Sequence, residues 1–401
     1  MRKQGLRKIT SLGLGALLVV AALTPAAHAA GPRLDRQALQ RTLDEVPKGG
    51  TPGAYSAVQD EGQRWRGAAG LADLEATLPM RPAMYQRIGS VTKTFVATAV
   101  LQQVAQGKVR LDVPVEEYLP GLLPDRRITV RMLLNHTSHL GDYDTALITG
   151  PDSLEELRVR QFTDEELVKL GLGVGKSGEP GHSPGSYSNT NYIVLGLLLD
   201  KVTGMPAERY ITRHVIQRAG LSHTFFPSTP NLPRPHAKAY TSFFDSFPLR
   251  DFSTFNSSVF GTAGAMVSTM EDLNRFFRAL LTGRLIGQAQ LEEMRRTGPI
   301  MPGPGVPFTF DYGLGLIAYE TPCGKLWGHD GGVVGMTTLS LSTLDGGKQA
   351  SSGTNVTWHP GAEAGEQAWA AHVVGAMCET GRFAAFDAKR LLIDAGAPVK
   401  R

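Results

Sequence analysis

Residues 88–104 read IGSVTKTFVATAVLQQV and form the most informative segment of the chain. Beyond Ser90, apolar residues fall on nearly every side of the helical pattern, which is typical of a helix buried in a protein interior. The pattern predicts a helix from Val91 to Val104 that stops at Gly107. Because residues three apart share a helix face, we expect the Lys93 amine beside the Ser90 hydroxyl.

This spacing suits acyl transfer. The first turn of a helix has unpaired N–H groups, and the helix dipole there favours negative charge. A lysine in a partly dry cleft loses much of its preference for the charged form and can accept a proton from a serine. We therefore predict Ser90 as the nucleophile and Lys93 as its base. The alternative is a helix cap followed by a surface lysine.

A second motif, Tyr187-Ser188-Asn189, follows a loop rich in Pro and Gly and precedes a helix predicted to begin near Thr190. A tyrosine in that position can relay a proton from the nucleophile to the leaving group. The Asn189 amide can hold both Lys93 and a substrate carbonyl. Alternatively, Asn189 only caps its helix and Tyr187 only packs.

A third motif of the form His-x-Gly occurs three times, beginning at His139, His329 and His359. The first copy lies in a loop, and the last has a proline where a strand needs its N–H. His329-Asp330-Gly331-Gly332 follows one predicted strand and precedes another, and its glycines permit close approach of a ligand. We predict these four residues to contact substrate, and the N–H groups of Gly332 and Ser90 to form an oxyanion hole.

The order of predicted strands and helices along the chain indicates the fold class. Strand patterns cover 54–58, 62–69, 312–319, 325–329 and 333–341, whereas helix patterns cover 34–46, 128–134, 164–172, 192–202, 206–215, 270–282 and 364–377. Strands at both ends with helices between them predict one antiparallel sheet built from the chain ends, beside a helical insertion. We predict an α+β protein in which residues 30–110 and 255–401 form an α/β domain and residues 111–254 form an all-helical domain.

Charge and the N-terminal segment indicate an exported protein. Of the 41 basic residues, four lie in the first eight positions, and the remaining 37 equal the 37 acidic ones. A basic face for nucleic acid is therefore unsupported. The four charges precede an apolar run, 12–23, and the small-residue site Ala27-His28-Ala29, which predict a signal peptide over residues 1–29. A membrane anchor is the alternative, but the run is shorter than the roughly 20 residues of a membrane span.

Cys323 and Cys378 are the chain's two cysteines. In an oxidising compartment one disulfide is the simplest outcome, and a thiolate metal site is excluded. His136 and His139, close to Asp142 and Asp144, suggest zinc, but their irregular spacing favours solvated loop residues.

Together these motifs resemble those of the serine beta-lactamase and penicillin-binding superfamily. The chain is most similar to the secreted D-alanyl-D-alanine carboxypeptidases, which carry His-x-Gly where class C beta-lactamases carry Lys-Thr-Gly. Segments 88–109, 118–131, 187–204 and 312–332 carry the likeness. The resemblance implies an acyl-enzyme on Ser90, proton transfer by Lys93 and Tyr187, and an α/β domain beside a helical one.

The resemblance also implies binding partners and a disulfide. The cysteine pair matches a disulfide of close relatives, no metal or organic cofactor is needed, and beta-lactams are expected as covalent inhibitors. Asn189 and His329 are expected to contact a small peptide, amide or ester, such as a peptidoglycan stem peptide. Neither nucleic acid nor a stable membrane anchor is expected.

Departures from the family concern the substrate. The carboxypeptidases hold a terminal carboxylate with hydroxyl residues and an arginine, whereas this chain has Asp330 and Gly332 at the hydroxyl positions and no arginine in 312–319. His139 and Gly185 replace a usual glycine and a usual aromatic. We therefore expect a D-amino-acid amide, an amino-terminal D-residue or an ester as substrate, if Asp330 points into the cleft. A D-Ala-D-Ala carboxypeptidase or a related D-amino-acid peptidase or amidase is the leading prediction. Esterase and beta-lactamase are the alternatives of the same fold, and a non-catalytic penicillin- or wall-binding module is the alternative of another class.

Overall fold

The described part of the chain, in a computed structural model, comprises Met1 and residues 34–243, 248–303 and 308–378. The predicted signal peptide lies outside these residues except for Met1. Within them, no helix has both the length and the apolar character that crossing a membrane requires.

One large sheet organises the molecule, and its strands come from both ends of the chain. In the described residues the sheet has the order β3-β2-β1-β14-β13-β12-β11-β10-β9-β5. Neighbouring strands are antiparallel except for the pair β5 and β9. The strands are β1 (Gly53–Asp60), β2 (Gln63–Asp73), β3 (Leu78–Pro79), β4 (Gln86–Arg87), β5 (Gly185–Ser186), β6 (Tyr240–Thr241), β7 (Arg250–Asp251), β8 (Val267–Ser268), β9 (Gly298–Met301), β10 (Phe310–Tyr312), β11 (Ile317–Thr321), β12 (Gly324–Val333), β13 (Met336–Ser342), β14 (Lys348–Thr354) and β15 (Val356–Thr357).

Helices cover both faces of this sheet. They are α1 (Arg36–Asp44), α2 (Val91–Ala105), α3 (Val130–Leu134), α4 (Asp144–Leu147), α5 (Pro151–Leu157), α6 (Asp164–Val174), α7 (Thr190–Thr203), α8 (Ala207–Ile211), α9 (Gln217–Ala219), α10 (Gly261–Gly264), α11 (Met270–Leu281), α12 (Gln288–Met294) and α13 (Glu363–Met377). Helices α1 and α13 pack on one face, and α2 and α11 on the other. The predicted α+β class, with an antiparallel sheet flanked by helices, is confirmed.

Helix α2 lies at the centre, as its apolar pattern predicted. From Val91 to Gln103 every residue is buried, and Phe95 stacks on Phe276 of α11 with ring centroids 3.6 Å apart. Helices α7, α8 and α10 pack against α2, and α3 packs on α7. The division into domains at 30–110, 111–254 and 255–401 stays a prediction.

Two local predictions were wrong. The segment 312–319 is not one strand, because Gly313 and Gly315 form a turn that separates β10 from β11. The Gly313 N–H donates to the Leu316 carbonyl, and Gly315 has a φ of +71°. In addition, His329 to Gly332 lie within β12 rather than after a strand. Burial on both faces makes β12 longer than its apolar pattern suggested.

The disulfide between Cys323 and Cys378 is present. It joins the turn between β11 and β12 to the end of α13, with Cα atoms 5.4 Å apart. It thereby ties the last described helix to the middle of the sheet.

Candidate active site

Ser90 occupies the start of α2, where glycine backbones let β12 approach closely. Gly89 has a φ of +52°, and a Cβ on it would lie 2.9 Å from the Gly332 carbonyl oxygen. A Cβ on Gly331 would lie 2.1 Å from the Ile88 oxygen and 2.8 Å from the Ser90 nitrogen. Side chains at these positions would therefore force the nucleophile and the strand apart.

Lys93 is fully buried and lies against Ser90, as the spacing predicted. Its Nζ is 2.6 Å from Ser90 Oγ, 2.6 Å from Asn189 Oδ1 and 2.9 Å from the Ala263 carbonyl oxygen. An ammonium group can donate to all three oxygens. A neutral amine can donate to Asn189 and Ala263 while its lone pair accepts the serine proton, so the geometry suits both states.

The tyrosine motif meets the serine motif at this point. Strand β5 lies parallel to β9, and the Tyr187 N–H donates to the Met301 carbonyl at 3.0 Å. The ring centroid of Tyr187 is 4.9 Å from Lys93 Nζ. Asn189 precedes α7, but its side chain makes no capping hydrogen bond; its amide oxygen accepts from Lys93 instead.

His329 is buried behind the nucleophile, on β12. Its Nδ1 is 2.5 Å from the Asp330 carbonyl oxygen, which can only accept, so Nδ1 carries the proton. Nε2 then accepts from the Tyr312 hydroxyl at 3.0 Å. Burial, together with the nearby Lys93 charge, lowers the pKa of His329 to about 3, and the ring is neutral at physiological pH.

The Asp330 side chain does not border the nucleophile, although its Oδ1 lies 3.8 Å from His329 Nδ1. Side chains alternate along a strand, so Asp330 faces away from Gly331, which faces Ser90. Its carboxylate accepts from the Tyr319 hydroxyl at 3.3 Å, and its cross-strand neighbour Leu339 packs in the cluster around α13. The expectation that the Asp330 side chain lines the cleft is therefore wrong. The register of β12 in the sheet, not closeness in sequence to Gly331, determines the face of the sheet on which this side chain lies.

A small cavity of about 40 Å³ opens beside the nucleophile. It is bordered by Ser90, Asn189, Gly332, the carboxylate-bearing Asp144, the apolar or aromatic Tyr143, Ile148, Phe260, Val333 and Trp358, and the small residues Ala263 and Gly264. The aromatic and aliphatic members were not predicted, because they come from four separate segments, one of them the end of β12, without a shared motif.

Two carboxylates close to the nucleophile also had no predicted role in a serine site. Asn189 Nδ2 donates to Asp144 Oδ2 at 2.9 Å and to Asp142 Oδ2 at 3.2 Å. Their sequence proximity to His136 and His139 suggested zinc instead. Among the residues that the structure describes, no group of three or more His, Cys, Asp or Glu side chains is arranged to hold a metal ion.

Known proteins share this architecture. The D-stereospecific amidohydrolase from Streptomyces sp. is 37% identical, with a TM-score of 0.74 over 81% of this chain and 95% of that one. The D-amino acid amidase from Ochrobactrum anthropi SV3, solved with L-phenylalanine amide, is 28% identical, with a TM-score of 0.74 over 85% of this chain and 97% of that one.

Curated sequences agree with the structural neighbours. Esterase EstB from Burkholderia gladioli is 35% identical over 44% of this chain and 47% of the esterase. The chain spans about half the length of several curated relatives that it matches. The family model described as Beta-lactamase matches residues 36–342. The chain therefore belongs to the beta-lactamase family of serine hydrolases.

Proposed function

We propose that the chain hydrolyses amides of amino acids that carry a free α-ammonium group, through an acyl-enzyme on Ser90. The observation that carries the proposal is the buried Lys93 Nζ lying 2.6 Å from Ser90 Oγ. Lys93 takes the hydroxyl proton while Ser90 Oγ attacks the amide carbon. The N–H groups of Ser90 and Gly332 stabilise the oxyanion.

Collapse of the tetrahedral intermediate breaks the C–N bond. Tyr187, beside Lys93, passes the proton to the leaving nitrogen, and ammonia departs from a primary amide. Water then attacks the Ser90 ester, which releases the amino acid and restores the hydroxyl. In this scheme Asn189 orients Lys93 and contacts the substrate. His329 exchanges no proton, and its role is structural, through its hydrogen bond with Tyr312.

The substrate class follows from the charge at the cavity. Asp144 borders the cavity, and Asp142 shares its hydrogen-bond donor, Asn189. Carboxylates attract an ammonium group and repel a carboxylate, so they favour an amino-acid amide over an acylated peptide with a free acid end. The aromatic and aliphatic border favours an apolar side chain. The names of the two structural neighbours support amide substrates and the D configuration.

An esterase is the second candidate. The similarity to EstB supports it, and the same acyl-enzyme serves an ester, whose leaving alcohol needs less protonation than an amine. D-Ala-D-Ala carboxypeptidase and beta-lactamase activities stay proposals of lower rank, because neither explains the carboxylates. Secretion, beta-lactams as covalent inhibitors and a stem-peptide substrate stay proposals as well.

Labelling tests catalysis. Intact protein is incubated with a fluorescent penicillin and with a fluorophosphonate, and mass spectrometry locates the adduct. We expect an adduct on Ser90 that is absent in Ser90→Ala. Reversible penicillin binding without an adduct of either probe would indicate a binding module and contradict the proposal.

A substrate panel tests the class. It compares D-phenylalanine amide with its L form, its N-acetyl derivative, its methyl ester, and an acylated peptide ending in D-Ala-D-Ala. We expect kcat/KM for the free-amine amide to exceed that of the N-acetyl amide at least tenfold, and Asp144→Asn to remove most of this preference. Asp330→Asn is the matched control, since that carboxylate faces the other side of the sheet. Faster cleavage of the free-acid peptide would overturn the substrate class but not the nucleophile.

A further inference from the structure

His136 is a buried histidine that the proposed proton transfers do not use. It follows α3 in a tight turn with a φ of +58°, and its side chain is fully buried. Its ring stacks on that of Tyr187 with centroids 4.1 Å apart and planes 28° apart. The rings of Tyr192 and Tyr312 lie on its other sides, at 5.4 and 4.7 Å.

The segment carrying Tyr187 lies between strand β9 and this residue. The His136 carbonyl accepts from the Ser186 N–H at 3.0 Å, and its Nδ1 accepts from the Ser188 N–H at 3.2 Å. Between them, the Tyr187 N–H donates to Met301. His136 thus binds the residues before and after the tyrosine and packs against the tyrosine ring.

These contacts determine which nitrogen of the His136 ring carries the proton. A backbone N–H only donates, so Nδ1 must be the acceptor and the proton is on Nε2. The second donor to Nδ1 is Asn191 Nδ2, at 3.1 Å, because the Asn191 amide oxygen accepts from Ser138 Oγ. A proton on Nδ1 would face two donors, so these contacts require a neutral ring.

The surroundings keep the ring neutral. Burial lowers the pKa of His136 well below its usual value, and the nearby Lys93 charge lowers it further. The titratable groups around the ring are Lys93, the neutral His329 and the phenols of Tyr187, Tyr192 and Tyr312. None of them is a carboxylate that would favour an imidazolium.

We propose that His136 is a positioning residue that, as a neutral acceptor, holds Tyr187 in place beside the Ser90–Lys93 pair. The inference rests on the proposed function, since it requires Tyr187 to transfer a proton. Misplacing a reacting group by about 1 Å can cost roughly 10²-fold in rate, so a residue that never touches substrate can control acylation.

Three variants separate the contributions of the ring and its nitrogen. His136→Leu removes both the acceptor and the stacking ring, whereas His136→Asn keeps an acceptor oxygen near the Nδ1 position and tolerates a positive φ. His139→Asn is the matched control: His139 is also buried, with a φ of +57°, but its ring contacts Ser177 and His182 instead. All three are checked by thermal unfolding.

The readouts are the acylation rate of Ser90 by a fluorescent penicillin, measured in a single turnover, and kcat and KM on D-phenylalanine amide. We expect His136→Leu to slow acylation and kcat at least tenfold with KM changed less than threefold. His136→Asn should recover a large part of the loss, and His139→Asn should stay within twofold of the wild type. Equal losses in the two His136 variants, or a loss confined to KM, would overturn the inference.

A double-mutant cycle with Tyr187→Phe tests the route of the effect. If His136 acts through Tyr187, the His136 substitution should slow acylation less than twofold once the hydroxyl is gone. Multiplicative losses in an enzyme whose Ser90 is acylated would refute the positioning role and leave the proposed function intact. Absence of a Ser90 adduct with both the fluorescent penicillin and the fluorophosphonate in the wild type would refute both. If the leucine variant does not fold, the cycle is run with His136→Asn.

Discussion

The proposed chemistry of the site depends on one buried side chain, that of Lys93. Its amine has an oxygen neighbour on each of three separate elements: Ser90 at the start of α2, Asn189 at the start of α7 and Ala263 in α10. Such a buried polar group is expensive to remove, because its former partners lose a hydrogen bond without gaining water, at a cost of about 1–3 kcal/mol. The same burial isolates the serine proton from solvent.

Replacing Lys93 with methionine should therefore separate chemistry from folding. We expect Lys93→Met to slow acylation of Ser90 by about 10²–10⁴-fold, the usual contribution of a general base. Stopped-flow acylation with a fluorescent penicillin measures it, and the exposed Lys169→Met is the control. Acylation within threefold of the wild-type rate in a folded Lys93→Met protein would contradict the role of the base.

At the scale of elements, helix starts bring the functional groups together. Helix α2 presents Ser90 and helix α7 follows Asn189, while the glycines of β12 allow the strand to touch the first turn of α2. Helix α6 packs on α7 and begins with acidic residues, Asp164, Glu165 and Glu166. Burial and the charges of Asp200, Glu208 and Glu165 raise the pKa of Asp164, the first residue of the helix, to about 7.

This carboxyl gives the stability a pH dependence of known sign. Its pKa is higher in the folded than in the unfolded chain, so the folded chain binds more protons between about pH 4 and 7 and loses stability as pH rises through that range. We expect Asp164→Asn to raise the free energy of unfolding at pH 8 by about 1–3 kcal/mol and to change it little at pH 4. Urea unfolding at both pH values measures this. Asp152→Asn, an exposed aspartate in the first turn of α5, is the control. An equal effect at both pH values would contradict the assignment.

At the scale of the whole molecule, distant parts of the chain close the sheet around α2. Strands β1 and β14 pair along their full lengths although about 290 residues separate them in the sequence. The disulfide adds a covalent link at the opposite end of β12 from Gly332. It restrains the unfolded chain more than it shapes the site.

Removing the disulfide should therefore change stability and not catalysis. For the 55-residue separation the chain-entropy model gives about 4 kcal/mol. We expect the double substitution Cys323→Ser and Cys378→Ser to lower the free energy of unfolding by about 2–4 kcal/mol, with Ser90 acylation at 25 °C unchanged within twofold. Denaturant titration and the penicillin assay measure the two quantities. A tenfold loss of acylation at full folding would show that the link shapes the cleft.

Features that depend on local spacing could be predicted from the amino-acid order alone. Ser90 and Lys93 lie one helical turn apart in any α-helix, and the apolar pattern around them requires that helix to be buried. The strand patterns at the two chain ends, the tyrosine motif and the single cysteine pair were equally readable. Geometry that depends on only a few neighbouring residues, such as this helical spacing, is the same however the rest of the chain packs.

Which side chains meet across strands, turns and distant loops could be seen only in the folded chain. The pairing register of β12 placed Asp330 on the far face, and a turn at Gly313 divided a segment that reads as one strand. The return of the 136–144 loop onto α7 placed Asp144 beside the nucleophile and His136 behind Tyr187. The contacts of the 136–144 loop join residues more than 40 positions apart. No local periodicity encodes them, because they depend on how the loops pack once the core has formed.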